Sequence, residues 1–148
     1  MIPFVVLVVT FAAFLLIGWV GMPFFGSWLT SLRAALACMF LLTASAHWGR
    51  RRPDLVRMVP QQFGPAHLVV TLTGILEIAG AIGLLIPATA RLAAIGLTLL
   101  LIAMFPANIR AARKGIDIAG RKPAKLAVRT PLQIVFILAT LVAGGFIW

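Results

Sequence analysis

The amino-acid sequence predicts an all-α integral membrane protein with five transmembrane helices. Of its 148 residues, 62% are hydrophobic and only 11% are charged, and the mean hydropathy is +1.10. These values lie far outside the usual range of soluble domains. The apolar residues also form separate blocks, each close to the roughly 20 residues that a helix needs to cross a bilayer. Because the blocks lack the alternation of membrane β-strands, we expect helices, which satisfy their own backbone hydrogen bonds in lipid.

Five apolar blocks are the predicted spans, and together they form one membrane domain over residues 1–148. The blocks lie near residues 2–20, 29–48, 67–86, 89–109 and 130–147. Proline and glycine interrupt helical propensity between them, in GMPFFGS, RRRPDLVRMVPQQFGP, IPAT and RKGIDIAGRKPAK. The first block has no basic segment before it and no cleavage-site pattern after it, so we expect a retained span rather than a signal peptide.

The basic residues are concentrated in two of the connections. The net charge is +10, and of the 13 lysines and arginines only Arg33 and Arg91 lie toward the other side of a five-span chain. The remaining basic residues lie in or beside the second and fourth connections: Arg50, Arg51, Arg52, Arg57, Arg110, Arg113, Lys114, Arg121, Lys122, Lys125 and Arg129. The positive-inside rule makes this side cytoplasmic, with the N-terminus inside and the C-terminus outside. Anionic lipid headgroups explain this charge better than nucleic acid does.

One carboxylate, Glu77, lies in the middle of the otherwise apolar stretch TGILEIAGAIGLLIP. A charge near the bilayer midplane costs roughly 2.5 to 3.5 kcal/mol on insertion scales, so protonation or pairing must offset it. Thr73, Gly74 and Gly80 flank Glu77 at helical spacing, which favours close helix packing and turns the carboxyl group toward the bundle interior. We predict that Arg33, near the outer end of the second span, pairs with Glu77 directly or through one water or hydroxyl.

Other polar residues are predicted to face the same interior. His47 shares a helix face with Arg33 at the inner end of the second span, Asn108 closes the fourth span, and Arg129 and Gln133 open the fifth one turn apart. Intramembrane ionisable residues mark binding or proton-handling sites by default. The candidate ligand-binding or proton-handling residues are therefore Glu77, Arg33, His47, Asn108, Arg129 and Gln133. The alternative is structural, with Arg33 and Glu77 acting as an interhelical clamp that fixes the register of the bundle.

The sequence assigns no catalytic residue and no metal site. No P-loop, nucleophile elbow or dinucleotide-binding glycine pattern is present. Glu77 has no carboxylate or histidine one turn away, which a metal site on this helix would need. Cys38 is the only cysteine, so the chain cannot run dithiol chemistry by itself.

Several short pieces of the chain occur in an order typical of one family. They are SLRAALACMFLLTASAH, RMVPQQFGP, TGILEIAGAIGLLIPATARLAAIGL, FPANI and RTPLQ. From about residue 30 to the end, the chain therefore resembles the DoxX-like family of small bacterial membrane proteins. The resemblance implies a four-helix bundle in the bacterial inner membrane, to which the first span of this chain is additional.

The resemblance also implies a function, as a membrane subunit of a quinone-linked thiol or sulfur redox system or of an oxidative-stress system. A soluble or membrane redox partner would supply the electrons. A quinone would lie beside Glu77, which would give or take a proton, while Arg33 or His47 holds a carbonyl oxygen. Whether the chain is itself an enzyme stays open, and the residues alone establish no cofactor.

Two other classes of function stay open. A non-catalytic protein that binds or transports lipid or another small hydrophobe predicts a cavity beside Glu77 that holds an apolar molecule. A structural accessory protein predicts a dense core in which Arg33 and Glu77 satisfy each other. In each case a homo-oligomer is an expectation, because five helices bury only part of their apolar surface.

Overall fold

The computed structural model describes residues 2–117, 120 and 122–147, and this part of the chain is all-helical. The described residues are 78% helical, in six α-helices and two short 3₁₀ helices, and they include no strand. The helices are α1 (Ile2–Trp19), α2 (Trp28–Ser45), α3 (Arg52–Met58), α4 (Ala66–Leu85), α5 (Ala90–Lys114) and α6 (Leu126–Ala143). All except the short α3 are long and apolar enough to cross a membrane. The predicted helical class is therefore confirmed.

Four of the long helices form a ring. α2 contacts α4 and α6, and α5 contacts the same two helices from the other side. α1 lies outside this ring and packs against α2 and the 3₁₀ turn Pro23–Phe25. This packing agrees with the predicted four-helix unit and its additional N-terminal helix.

The core of the bundle is centred on α2. Half of α2 is buried (50%), compared with 6% of α1. The largest fully buried apolar side chains are Phe40, Leu36, Met39, Leu84 and Leu97. Between α4 and α5 the Leu97 side chain packs directly on Gly80, where a Cβ would lie 2.5 Å from it. The outer faces of the long helices expose apolar side chains, as expected of helices that meet lipid.

The two ends of the bundle differ in charge. The basic end is defined here as the end where α2 and α5 finish and α4 and α6 begin, with α3 beside them. Its lysines and arginines are Arg50, Arg51, Arg52, Arg57, Arg110, Arg113, Lys114, Lys122, Lys125 and Arg129. The opposite end has Arg33 and Arg91, while Arg121 lies outside the described residues. The fold thus collects the second and fourth connections at one end, and the orientation of that end in a membrane stays a prediction.

Candidate functional site

Glu77 is buried between α4 and α2. The Glu77 side chain is on α4, and the residue is only 3% exposed. One turn earlier, a Cβ at Gly74 would lie 2.8 Å from the His47 Cβ and 2.7 Å from the Trp48 ring, so the close approach of the two helices requires glycine there. Glu77 follows Gly74 on the same helix face. The predicted inward orientation of the carboxyl group is therefore confirmed.

His47 is the residue that faces Glu77. It lies two residues beyond the end of α2 and is also 3% exposed. Its Nδ1 is 3.8 Å from Oε2 of Glu77, which is longer than a hydrogen bond. The same Nδ1 is 3.2 Å from the carbonyl oxygens of Thr43 and Ala44, so the Nδ1–H tautomer donates to those carbonyls. Oε2 of Glu77 is buried and has no hydrogen-bond partner among the described residues.

Thr43 completes the immediate surroundings of the carboxyl group. Its hydroxyl lies beside Glu77 and donates to the carbonyl oxygen of Phe40 at 2.9 Å. A hydroxyl that already donates can still accept through its oxygen. The site therefore offers Nδ1–H of His47 as a donor to an ionised carboxylate and the Thr43 oxygen as an acceptor for a protonated one.

Arg52 connects this site to the basic end. From the first position of α3, its Nη1 donates to the His47 carbonyl oxygen at 2.7 Å. Its Nη2 donates to the Thr71 hydroxyl at 2.8 Å and to the His67 carbonyl oxygen at 3.2 Å. Arg52 thus ties the end of α2 to the first turns of α4.

Burial lowers the pKa of the His47 side chain, and the positive charge of Arg52 acts in the same direction, so the imidazole is neutral at pH 7.

The predicted pairing of Arg33 with Glu77 is wrong. Nε of Arg33 instead donates to the Ala143 carbonyl oxygen on α6 at 2.8 Å. The close contact at Gly74 sets the register of α4 against α2, and it brings Glu77 level with Thr43. Arg33 precedes Thr43 by ten residues, or about 15 Å along a helix axis, which an arginine side chain does not span. One bridging water or hydroxyl does not close that distance either.

The other three candidate residues form a second cluster, between α5 and α6. Nη1 of Arg129 donates to Oδ1 of Asn108 at 3.0 Å, and its Nε donates to the Ala124 carbonyl oxygen at 3.1 Å. Nε2 of Gln133 donates to the Leu101 carbonyl oxygen at 2.5 Å. The bonds to Asn108 and Leu101 connect α6 to α5, and the bond to Ala124 holds the connection that precedes α6. The six candidate residues thus lie in three separate places. Glu77 and His47 lie together, Arg33 lies near the opposite end of the bundle, and the other three lie between α5 and α6.

A groove of about 160 Å³ lies beside Gln133 on the α5–α6 surface. Its walls are apolar apart from Gln133 and Thr130, and two wall residues, Ile102 and Ile134, are more than half exposed. The lining residues are Ile102, Phe105, Thr130, Gln133, Ile134 and Ile137.

The surroundings of Glu77 bear on the predicted quinone position. Glu77 lines neither the groove beside Gln133 nor a second cavity of about 220 Å³ near Arg33. The contact of Gly74 with His47 and Trp48 closes the α2–α4 interface one turn away. Neither of these two cavities is lined by Glu77, and the quinone position beside it stays a prediction.

Sequence reasoning missed Arg52 and Thr43. Nothing in the sequence distinguishes Arg52 from the neighbouring Arg50 and Arg51, because the distinction arises from where α3 lies in the fold. Thr43 carries a weak signal, since it lies one turn before His47 on α2 and shares its face. Within the described part of the chain, no group of three or more His, Cys, Asp or Glu residues could hold a metal ion.

The fold and the site define a small all-helical protein with five helices that can span a membrane and a buried histidine–carboxyl pair between two of them. The chain belongs to the family described as Domain of unknown function (DUF8561), whose family model matches residues 36–143. The match includes Glu77, His47 and the α5–α6 cluster, and it leaves α1 and Arg33 outside. No curated protein and no solved structure matches the chain. None of these comparisons links the chain to the DoxX-like family, so that resemblance stays a prediction.

Proposed function

We propose that this protein is a membrane-spanning, proton-handling subunit in which Glu77 exchanges a proton with the basic end of the bundle through His47. One observation carries the proposal: a buried Glu77 oxygen without a hydrogen-bond partner lies 3.8 Å from a histidine nitrogen. An unsatisfied buried polar atom costs about 1–3 kcal/mol. A structural clamp would satisfy its buried polar atoms. An unsatisfied carboxyl oxygen beside a titratable histidine therefore favours a functional site.

The two protonation states of Glu77 call for different hydrogen bonds. An ionised carboxylate needs a donor, and Nδ1–H of His47 is near enough to become one if the groups close by about 1 Å. To do so, Nδ1–H must leave the carbonyl oxygens of Thr43 and Ala44. When Nδ1 gives its proton to Glu77, the imidazole takes up a proton at Nε2 from the basic end, and the protonated carboxyl group donates to the Thr43 oxygen. His47 must then exchange its tautomer before Nδ1–H can bond to the carbonyl oxygens again. Gain or loss of one proton at Glu77 therefore changes the acceptor of the His47 Nδ1–H, between the Glu77 carboxylate and the carbonyl oxygens of Thr43 and Ala44.

The basic end is the side from which the proton would enter. His47 is buried, but the next residues, Trp48, Gly49 and Arg50, are exposed at that end. The excess of lysine and arginine favours a cytoplasmic location for this end, in contact with anionic lipid headgroups. The N-terminus would then be cytoplasmic and the C-terminus periplasmic.

The wider system that we propose is the one implied by the DoxX-like resemblance, a quinone-linked thiol or sulfur redox or oxidative-stress system of a bacterial inner membrane. This chain would contribute proton transfer, and a redox partner would contribute electrons. The single Cys38 supports that division, because dithiol chemistry needs two cysteines. No step of the proposed proton transfer involves a quinone beside Glu77, because neither described cavity is lined by Glu77.

Infrared difference spectroscopy tests the proton-handling proposal. The purified protein in lipid nanodiscs would be titrated with acid and base while the carbonyl stretch of protonated carboxyl groups is followed. We expect a titrating band from a buried carboxyl group that is lost in Glu77→Gln and displaced in His47→Gln. Asp117→Asn is the control, because Asp117 is exposed at the basic end.

A band that does not titrate, or that survives in Glu77→Gln, would refute proton handling at this site. If Glu77→Gln only changes the thermal stability, a structural accessory role would replace the proposal.

The groove beside Gln133 supports a second candidate function, binding of a quinone or another small hydrophobe. An apolar groove with one or two polar groups is the usual form of such a site. Nε2 of Gln133 retains a second hydrogen after its bond to the Leu101 carbonyl, and that hydrogen could be donated to a ligand carbonyl. Mass spectrometry of co-purified lipids tests this function: a specific ligand should be lost in Gln133→Leu and retained in Glu77→Gln. The same ligand content in both variants would count against the groove.

A further inference from the structure

A cavity of about 220 Å³ lies at the end of the bundle opposite the basic end. Arg33 and Thr30 of α2 form one wall, and the 3₁₀ turn contributes Phe24. The other lining residues come from the end of α4 and the connection that follows it. The lining residues are Phe24, Thr30, Arg33, Leu84, Leu85 and Pro87. Apart from Arg33 and Thr30, these side chains are apolar.

Arg33 brings a permanent positive charge to this cavity. A guanidinium is not deprotonated in proteins, and burial beside apolar walls raises the cost of leaving it without a counter-ion. Nε is bonded to the Ala143 carbonyl oxygen, but the described residues provide no hydrogen-bond acceptor for the two terminal nitrogens. A group outside the protein can satisfy them.

The chain cannot supply a carboxylate side chain to this cavity, because it contains only three acidic residues. Asp54 bonds to Arg57 on α3, Glu77 faces His47, and Asp117 follows the end of α5 at the basic end. Arg91, the other arginine at the opposite end, differs from Arg33 because its guanidinium lies 4.8 Å from the centre of the Phe146 ring. Arg33 is therefore the arginine at this end that faces a cavity.

We infer that this cavity binds the anionic headgroup of an amphiphile, a phosphate or carboxylate carried on a hydrocarbon chain. The terminal nitrogens of an arginine match the oxygens of either group in a bidentate geometry, and the Thr30 hydroxyl adds a further donor. The cavity is smaller than the roughly 300–1,000 Å³ of pockets that enclose a drug-sized molecule, so it accommodates a headgroup and not a whole lipid. The hydrocarbon chain would leave along Phe24 and Leu85, which are both exposed.

Native mass spectrometry of the protein in detergent tests this inference. The protein would be titrated separately with phosphatidylglycerol, phosphatidylcholine, palmitate and soluble glycerol phosphate. We expect one phosphatidylglycerol or one palmitate to bind at least about tenfold more tightly than phosphatidylcholine, because the choline cation beside the phosphate of that lipid repels the Arg33 guanidinium. Whichever anionic amphiphile binds more tightly identifies the headgroup as phosphate or carboxylate. Glycerol phosphate should bind far more weakly, because it lacks the hydrocarbon chain.

Variants localise the site. Arg33→Gln should remove the preference for anionic amphiphiles, Arg33→Lys should restore part of it, and Arg91→Gln is the matched control that should leave it unchanged. Thr30→Phe keeps the charge and fills the cavity, so it should also abolish tight binding even if Arg33→Gln fails to fold.

Equal binding of phosphatidylglycerol and phosphatidylcholine, or an unchanged preference in folded Arg33→Gln or Thr30→Phe, would overturn the inference. Binding of glycerol phosphate as tightly as phosphatidylglycerol would also overturn it, since the site would then take a free anion. None of these outcomes depends on Glu77 or His47.

Discussion

At the scale of single residues, Gly74 decides where the candidate site forms. Its missing Cβ lets α4 approach His47 and Trp48, and this contact brings Glu77 level with Thr43. A larger residue would push the helices apart or force the His47 ring to move. The geometry of the Glu77–His47 pair therefore depends on a residue that takes no part in proton transfer.

Gly74→Ala should destabilise the protein, because its Cβ would lie 2.8 Å from the His47 Cβ in a packed interface. Overpacking of this kind costs about 1–3 kcal/mol. Gly96→Ala on α5 is the matched control: its Cβ would meet nothing within 4 Å, and alanine favours a helix over glycine by up to about 1 kcal/mol. Thermal unfolding in detergent should show a lower Tm for Gly74→Ala and an equal or higher Tm for Gly96→Ala. A Tm that does not fall in Gly74→Ala would show that this interface tolerates a methyl group.

The sequence predicted which residue is buried at this site but not what it faces. The small residues around Glu77 correctly indicated a face that points inward, because helical periodicity is a local property. The partner depends on how far one helix is displaced along another, and periodicity carries no information about that displacement. Arg33 is chemically the better partner for a carboxylate, yet the register places it about 15 Å along the axis from Thr43.

At the scale of secondary-structure elements, the long apolar helices were predictable and the short polar one was not. The observed helices agree with the predicted blocks to within a few residues, except that α5 continues to Lys114 through Pro106. α3 was missed because seven residues are too few to show a clear period. It nevertheless has a proline in its first turn with Asp54, and Arg57 in its last turn, which are ordinary helix-end signals.

Arg52→Met should loosen the connection that α3 makes between α2 and α4. The change removes the bonds to the His47 carbonyl, the Thr71 hydroxyl and the His67 carbonyl. We expect faster amide hydrogen exchange in residues 66–71, because those first turns of α4 lose their link to α3. Arg51→Met is the control, since the neighbouring Arg51 side chain is exposed. Similar exchange rates in the two variants would contradict the role given to Arg52.

At the scale of the whole molecule, the fold places most of the basic residues at one end of the bundle, so the two ends differ in charge. Ten basic residues that are far apart in sequence come together because α2, α4, α5 and α6 run alternately up and down. The opposite end has Arg33 and Arg91, each beside apolar side chains. An amphiphile headgroup at Arg33 and proton transfer at Glu77 would therefore belong to opposite faces of a membrane.

The orientation of these ends can be measured with single cysteines. In a Cys38→Ala background, Ala88→Cys would place a thiol in the exposed α4–α5 connection and Lys122→Cys would place one at the basic end. Because lysine and arginine are retained on the cytoplasmic side, a membrane-impermeant maleimide applied to intact spheroplasts should label Ala88→Cys only. Both should be labelled after permeabilisation, which controls for access. Labelling of Lys122→Cys in intact spheroplasts would show that the orientation is the opposite of the predicted one. The proton path through His47 would then open to the periplasm and the Arg33 cavity to the cytoplasmic leaflet.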